Sequence, residues 1–286
     1  MTLGEVGQDY ILNGEDAEMG EIPWMVALKK DKEWASCGGT LVGREHIITA
    51  AHCISGQDKE GWTILMGVIN KNDSRLEIPV KKIIMHEYDE TGTHRNDIAV
   101  LVLSEQVDWH AHPNIRPACL PTSKSITDFL NETATISGWG ALNEVGSSPR
   151  ILQKAEVVVT GKECSSLQKD ILPGMFCAGG KNEAGKIIDA CHGDSGGPLT
   201  VEDEKNNNAH TLIGVVSWGE GCGREGYPGV YTDVPYYLGT GWISTALKGL
   251  DTCPPPGSDV SNPLPTTSST TISTMTTTGE ISTQEK

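Results

Sequence analysis

The chain has 286 residues, 37% of them hydrophobic with only two Phe, and a formal net charge of −16. That length suffices for one large β domain or two small ones with ample core. So acidic a chain repels nucleic acid and anionic membrane, and no apolar run approaches the roughly 20 residues that span a bilayer.

The first ten residues, ending Gly-Gln-Asp-Tyr10, hold no basic stretch and no apolar core. This is the expectation for a chain whose N-terminal segment is missing, with residues 1–10 a propeptide remnant. From about residue 11 to 250, short β-type runs alternate with Gly, Asn, Asp and Pro: Trp24–Leu28, His46–Ala50, Trp62–Ile69, Ile98–Leu103, Thr133–Ser137, Ala155–Thr160 and Thr211–Trp218. Runs this short and this regularly spaced predict all-β barrels or sandwiches. One helix is expected near the end, with Trp242, Ile243, Ala246, Leu247 and Leu250 on one face. After Cys253 the last 33 residues hold 15 Ser or Thr and five Pro. Such sequence buries too little to offset its ordering entropy, so 251–286 reads as a disordered, mucin-like tail.

Eight cysteines are spread through the first 253 residues without CxxC pairs or zinc-ligand spacing. They point to disulfides in an oxidising compartment and to no metal site. Asn72-Asp-Ser74 and Asn131-Glu-Thr133 are glycosylation sequons, which suit a secreted chain.

The chemistry concentrates in Cys191-His-Gly-Asp-Ser-Gly-Gly-Pro198. A serine hydroxyl is a poor nucleophile unless a base stands within hydrogen-bond reach and a third group holds that base's tautomer. Thr49-Ala-Ala-His52-Cys53 offers the base, Asn96-Asp97-Ile-Ala99 the carboxylate, and Ser217-Trp218-Gly219 an extended edge onto which a peptide can add as a strand. The other seven histidines read as core or surface residues, and Asp108 and the acids of 202–204 as solvated loop.

Together these segments resemble the trypsin/chymotrypsin family, in the order His, Asp, Ser. Pro23-Trp24, Cys37-Gly-Gly-Thr-Leu41, Ser137-Gly-Trp-Gly140, Leu152-Gln-Lys-Ala155 and Pro228-Gly-Val-Tyr231 match as well, so the resemblance covers about Ile11 to Leu250. It implies two six-stranded antiparallel Greek-key β-barrels with a C-terminal helix over 11–250, and a secreted endopeptidase. In that reading His52 is general base then acid, Asp97 orients it, and Ser195 attacks the scissile carbonyl. Gly193 and Ser195 donate the oxyanion-hole N–H groups. Asp189 forms the floor of the specificity pocket, with Ala190 beside it, Gly219 and Gly229 as walls and Ser217 and Trp218 along the rim. Cleavage is then expected after Arg or Lys, with a mild preference for Arg because Ala190 offers lysine no hydroxyl. Protein substrates and protein inhibitors are the implied partners. No cofactor is implied, and Val68 stands where calcium-binding relatives carry Glu.

The resemblance also implies the disulfides Cys37–Cys53, Cys164–Cys177 and Cys191–Cys222. Cys119 matches a cysteine that tethers a propeptide, but residues 1–10 contain none, so Cys253 is the alternative partner. Ile11-Leu-Asn-Gly14 resembles a mature N-terminus whose new ammonium would pair with Asp194. Tyr10 precedes it instead of Arg or Lys, so the chain reads as a zymogen whose activator accepts an aromatic residue. The sequence after Val234 is long for the family and holds Gly239 and Gly241, so the last helix is expected to start late.

Overall fold

The computed structural model describes residues 11–248 apart from 59, 74, 145, 165, 166 and 204–208. The first ten residues, Cys253 and the Ser/Thr-rich tail lie outside that description. After a two-residue strand β1 (Glu15–Asp16), six strands close an antiparallel barrel: β2 (Met25–Lys30), β3 (Glu33–Leu41), β4 (His46–Thr49), β5 (Trp62–Met66), β6 (Glu77–Met85) and β7 (Ala99–Leu103). Their spatial order is β2-β3-β4-β7-β6-β5.

The second half adds β8 (Thr133–Gly138), β9 (Gln153–Gly161), β10 (Met175–Lys181), β11 (Ile187–Ile188), β12 (Pro198–Asp203), β13 (Ala209–Trp218) and β14 (Gly229–Asp233). The order β9-β8-β12-β13-β14-β10 is closed by pairing of β9 with β10, and β1 and β11 attach at the margins. Two closed six-stranded barrels therefore replace the alternative of a sandwich. Closure matters physically because it pairs backbone groups that an open edge would leave free to recruit another chain.

Local sequence explains the strands. In β9 the run Gln-Lys-Ala-Glu-Val-Val-Val-Thr-Gly alternates buried and outward residues, the period of a half-buried strand. In β7 all five of Ala-Val-Leu-Val-Leu are buried, and β4 and β6 pair with its two edges. Val26, Leu28, Ile47, Ile64, Leu65 and Leu101 are fully buried on the strands of the first barrel. Ile136, Val157, Val159, Phe176, Leu199, Ile213 and Tyr231 fill the second.

The C-terminus differs from expectation by one element. A first helix, α1 (Val234–Gly239), starts at once, with Asp233 as its N-cap accepting from Tyr236 N–H at 2.9 Å. Gly241, at φ 82°, then breaks it before α2 (Trp242–Ala246). The last helix thus starts late, after Gly241, as the glycines implied, and the short α1 ahead of it is the unexpected element. Cys37–Cys53, Cys164–Cys177 and Cys191–Cys222 are bonded. Cys119 is also disulfide-bonded, and Cys253, one of the two partners left open for it, is outside the described residues.

Candidate active site

The two barrels meet where the chemistry-bearing residues lie. Pairing of Thr49 with Ala99 brings the turn after β4 and the residue before β7 to the same end of the first barrel. That turn, Ala51–Cys53, carries His52. His52 N–H donates to Asp97 Oδ1 at 2.8 Å, and its Nδ1 lies 2.7 Å from Asp97 Oδ2. The second barrel adds two bonds to the same residue. Ser217 Oγ on β13 donates to Asp97 Oδ2 at 2.5 Å, and Thr232 Oγ1 on β14 donates to the Asp97 carbonyl at 2.7 Å. Asp97 is buried, so its carboxylate is held by these donors rather than by water. A neutral His52 then keeps its proton on Nδ1, and Nε2 is left as the acceptor.

Ser195 sits in a tight turn before β12. Asp194 N–H donates to Cys191 C=O, Gly196 N–H to Val216 C=O, Gly197 N–H to Asp194 C=O, and Gly38 N–H to Ser195 C=O, all at 2.8–2.9 Å. Among the described residues the N–H groups of Gly193 and Ser195 donate to nothing. Two unspent donors interleaved with spent ones are what a developing oxyanion requires. Gly193, at φ 101°, holds a conformation that a side chain would strain. A Cβ on Gly196 would collide with Thr49 Oγ1 and Gly38 C=O, so this glycine lets the serine turn pack on the segment leading to His52. The Ser195 hydroxyl itself has no hydrogen-bond partner among the described residues. Such nucleophile–base bonds are often long without substrate and tighten when it binds.

A cleft of about 250 Å³ opens beside Ser195, lined by Asp189, Ala190, Ser217, Trp218, Gly219 and Gly229 among others. Asp189 is 4% exposed at its floor and accepts from Gly223 N–H at 2.8 Å. Burial pushes its carboxyl up to about 7, against the backbone donors of Gly223 and Ala190. No cation pairs with it among the described residues. A Cβ on Gly229 would stand 3.0 Å from Asp189 Oδ1, so glycine there keeps the floor accessible.

Behind the serine turn, Ile11 is buried in the core of the second barrel, and Leu12 forms an antiparallel bridge with Asp189. The Asp194 carboxylate is fully enclosed, accepting from Gly140 N–H at 2.7 Å and Cys191 N–H at 2.9 Å. Burial raises it to about 6, and no ammonium pairs with it among the described residues. Asn72 and Asn131 are both exposed, as a glycan acceptor must be.

Three residues near the site have no role assigned from sequence, and one of them lines the cleft. His94, assigned there to core or surface, lines the cleft, stacks on Trp218 at 5.8 Å between ring centres and stands edge-on to His52 at 6.5 Å. Its place in the loop just before Asp97 was the available signal. Trp34 also packs against Gly193, with Lys71 over its ring, and nothing in their local sequence marks them.

Across residues 11–242 the chain matches the family model described as Trypsin. It is 42% identical over 248 residues to mouse (Mus musculus) Transmembrane protease serine 11C, covering 84% of this chain and 54% of that protein. Trypsin Blo t 3 of Blomia tropicalis is 37% identical over 242 residues, covering 82% of this chain and 85% of that one. Mouse Transmembrane protease serine 7 is 38% identical over 246 residues, 84% of this chain but 29% of its own length. The chain thus spans about half of the first relative and less than a third of the last. With its match to the family model over 11–242 and its two closed barrels, this chain belongs to the trypsin family of serine proteases.

Proposed function

We infer that the chain is a secreted serine endopeptidase that hydrolyses peptide bonds after Arg or Lys, made as a zymogen activated by cleavage before Ile11. The observation that carries the specificity is Asp189, a buried carboxylate with no cation partner among the described residues, on the floor of the cleft that Ser195 lines. An isolated buried charge is costly, and a guanidinium or ammonium entering the cleft supplies the partner.

The geometry supports the following chemistry. His52 Nε2 takes the Ser195 proton as Oγ attacks the scissile carbonyl carbon, and the carbonyl π pair moves onto oxygen facing the N–H groups of Gly193 and Ser195. The C–N bond then breaks, His52 returns the proton to the leaving amine, and an acyl-enzyme remains. Water, deprotonated by His52, attacks the ester and releases the acid and Ser195. Each oxyanion donor is worth on the order of 10²–10³ in rate. Cleavage before Ile11 would create an ammonium to pair with Asp194. Breaking such a buried pair costs about 3–5 kcal/mol, which supports a chain inactive until cut. Tyr10 points to an activator that accepts aromatic residues.

Secretion rests on the disulfides and the sequons. Among the described residues no helix is long and apolar enough to cross a membrane. A binding module of the same fold is the second reading, favoured only by the unbonded Ser195 hydroxyl. Treatment of the chain, cleaved before Ile11, with an organophosphonate decides between them. Labelling at Ser195, with an arginyl amide cut at least a hundredfold faster than a phenylalanyl one, is expected. Absence of labelling favours the binding module, and equal rates on the two amides remove the Arg/Lys assignment. Asp97→Asn is expected to lower kcat by about 10⁴ by disturbing the His52 tautomer.

A further inference from the structure

Outside the residues that line the Asp189 cleft, Trp34 on β3 lies against the oxyanion turn and Lys71, from the loop between β5 and β6, lies over Trp34. A Cβ on Gly193 would stand 3.0 Å from Trp34 Cη2 and 3.4 Å from Cζ2, so the indole edge lies directly against the oxyanion turn. Lys71 Nζ sits 3.7 Å from the centre of the Trp34 ring. Gly193, Trp34 and Lys71 therefore form one continuous surface.

Lys71 is held there by its backbone. Its N–H donates to Arg150 C=O at 3.0 Å, and the neighbouring Asn70 bridges to Ile151. The side chain is only partly exposed, and among the described residues no carboxylate lies within ion-pair distance of its ammonium. Burial lowers that ammonium to about 8, while the charge of Asp194 acts in the opposite direction. The result is a fixed, partly desolvated cation on a chain whose net charge is −16.

The path of a substrate crosses this surface. A peptide paired with the Ser217–Gly219 edge presents its scissile carbonyl oxygen to Gly193 and Ser195. It must then leave along β3, which touches the serine turn through the bond from Gly38 N–H to Ser195 C=O. An extended chain advances about 3.3 Å per residue, so the first two residues after the cut bond come within side-chain reach of Trp34 and Lys71. We propose that Lys71, seated on Trp34, selects substrates with Asp or Glu among the two residues that follow the cleaved Arg–X or Lys–X bond. The aromatic face holds the ammonium in place, and the incoming carboxylate supplies the anion it lacks.

This inference rests on the protease reading, and the test separates the two. The chain cleaved before Ile11 is given quenched-fluorescence peptides that differ only in the second residue after Arg, which is Glu, Ala or Lys. An arginyl anilide, with no residue after the bond, normalises each variant's rates, so any general loss of activity cancels. The expected kcat/KM ratio of Glu to Lys peptide is at least tenfold in the parent chain. It is expected to fall below about twofold in Lys71→Gln, to invert in Lys71→Glu and to shrink at high salt in the parent. A flat ratio in the parent, or a tenfold ratio that survives Lys71→Gln, overturns the role of Lys71 alone. Failure to cut the anilide at all removes the protease reading and this one with it.

Discussion

At the scale of single residues, Asp189 makes the sharpest prediction. Its carboxyl is held near 7 by burial, so it is charged above that pH and neutral below it. An aryl amidine, which fills the cleft without a bond to cut, needs the charged form. Its affinity is expected to be full at pH 8 and to fall roughly tenfold per unit below 7. The stability sign follows the same way. Burial disfavours the carboxylate, so the empty fold loses stability as pH rises from the ordinary carboxylate range through about 7. The thermal shift produced by the amidine should be larger at pH 8 than at pH 5.5, and equal shifts would refute the assignment. Residues of this kind were legible because the chemistry confines them to contiguous motifs. Asp189, Gly193, Asp194 and Ser195 share one short segment, and His52 and Asp97 stand in motifs of their own. His94, Lys71 and Trp34 were not legible, because a strand and two loops far apart in sequence bring them near the site.

At the scale of elements, what could be read depended on whether a strand looked like one. β7 and β13 are runs of β-branched and apolar residues and were anticipated within a residue or three. β6 contains Pro79, β10 contains Gly179 and Gly180, and β12 begins at Pro198, so local propensity spoke against all three. Barrel closure overrides propensity there, since each strand has partners on both sides. At the C-terminus the apolar face of α2 and its late start after Gly241 were visible, but the short α1 before it was not. Nothing lies within 4 Å of a Cβ added at Gly241, so its φ of 82° is the only obstacle to a side chain. Gly241→Ala is therefore expected to cost about 1–2 kcal/mol by denaturant titration and to leave kcat/KM intact. A loss above about 3 kcal/mol would mean that the break has a packing role.

At the scale of the whole molecule, the site belongs to neither barrel. His52 and Asp97 come from the first and Ser195, Ser217 and Thr232 from the second, and the bonds from Ser217 and Thr232 to Asp97 cross the boundary. Trp139 Nε1 to Ile69 C=O at 2.8 Å and Tyr237 Oη to Asn96 Oδ1 at 3.0 Å cross it too. No sequence pattern reports how two barrels are oriented, which is why the fold class was readable and this seam was not. The bridge between Leu12 and Asp189 adds a thermodynamic consequence. Whatever settles the pocket floor must also favour the seated form of the segment that begins at Ile11, and linkage makes the effect reciprocal. Amide hydrogen exchange at Leu12 and at Gly14, whose N–H donates to Ile11 C=O, should slow when an amidine binds. Exchange that ignores the amidine would separate the two. If they are coupled, an occupied cleft also holds the segment that begins at Ile11 in its seat.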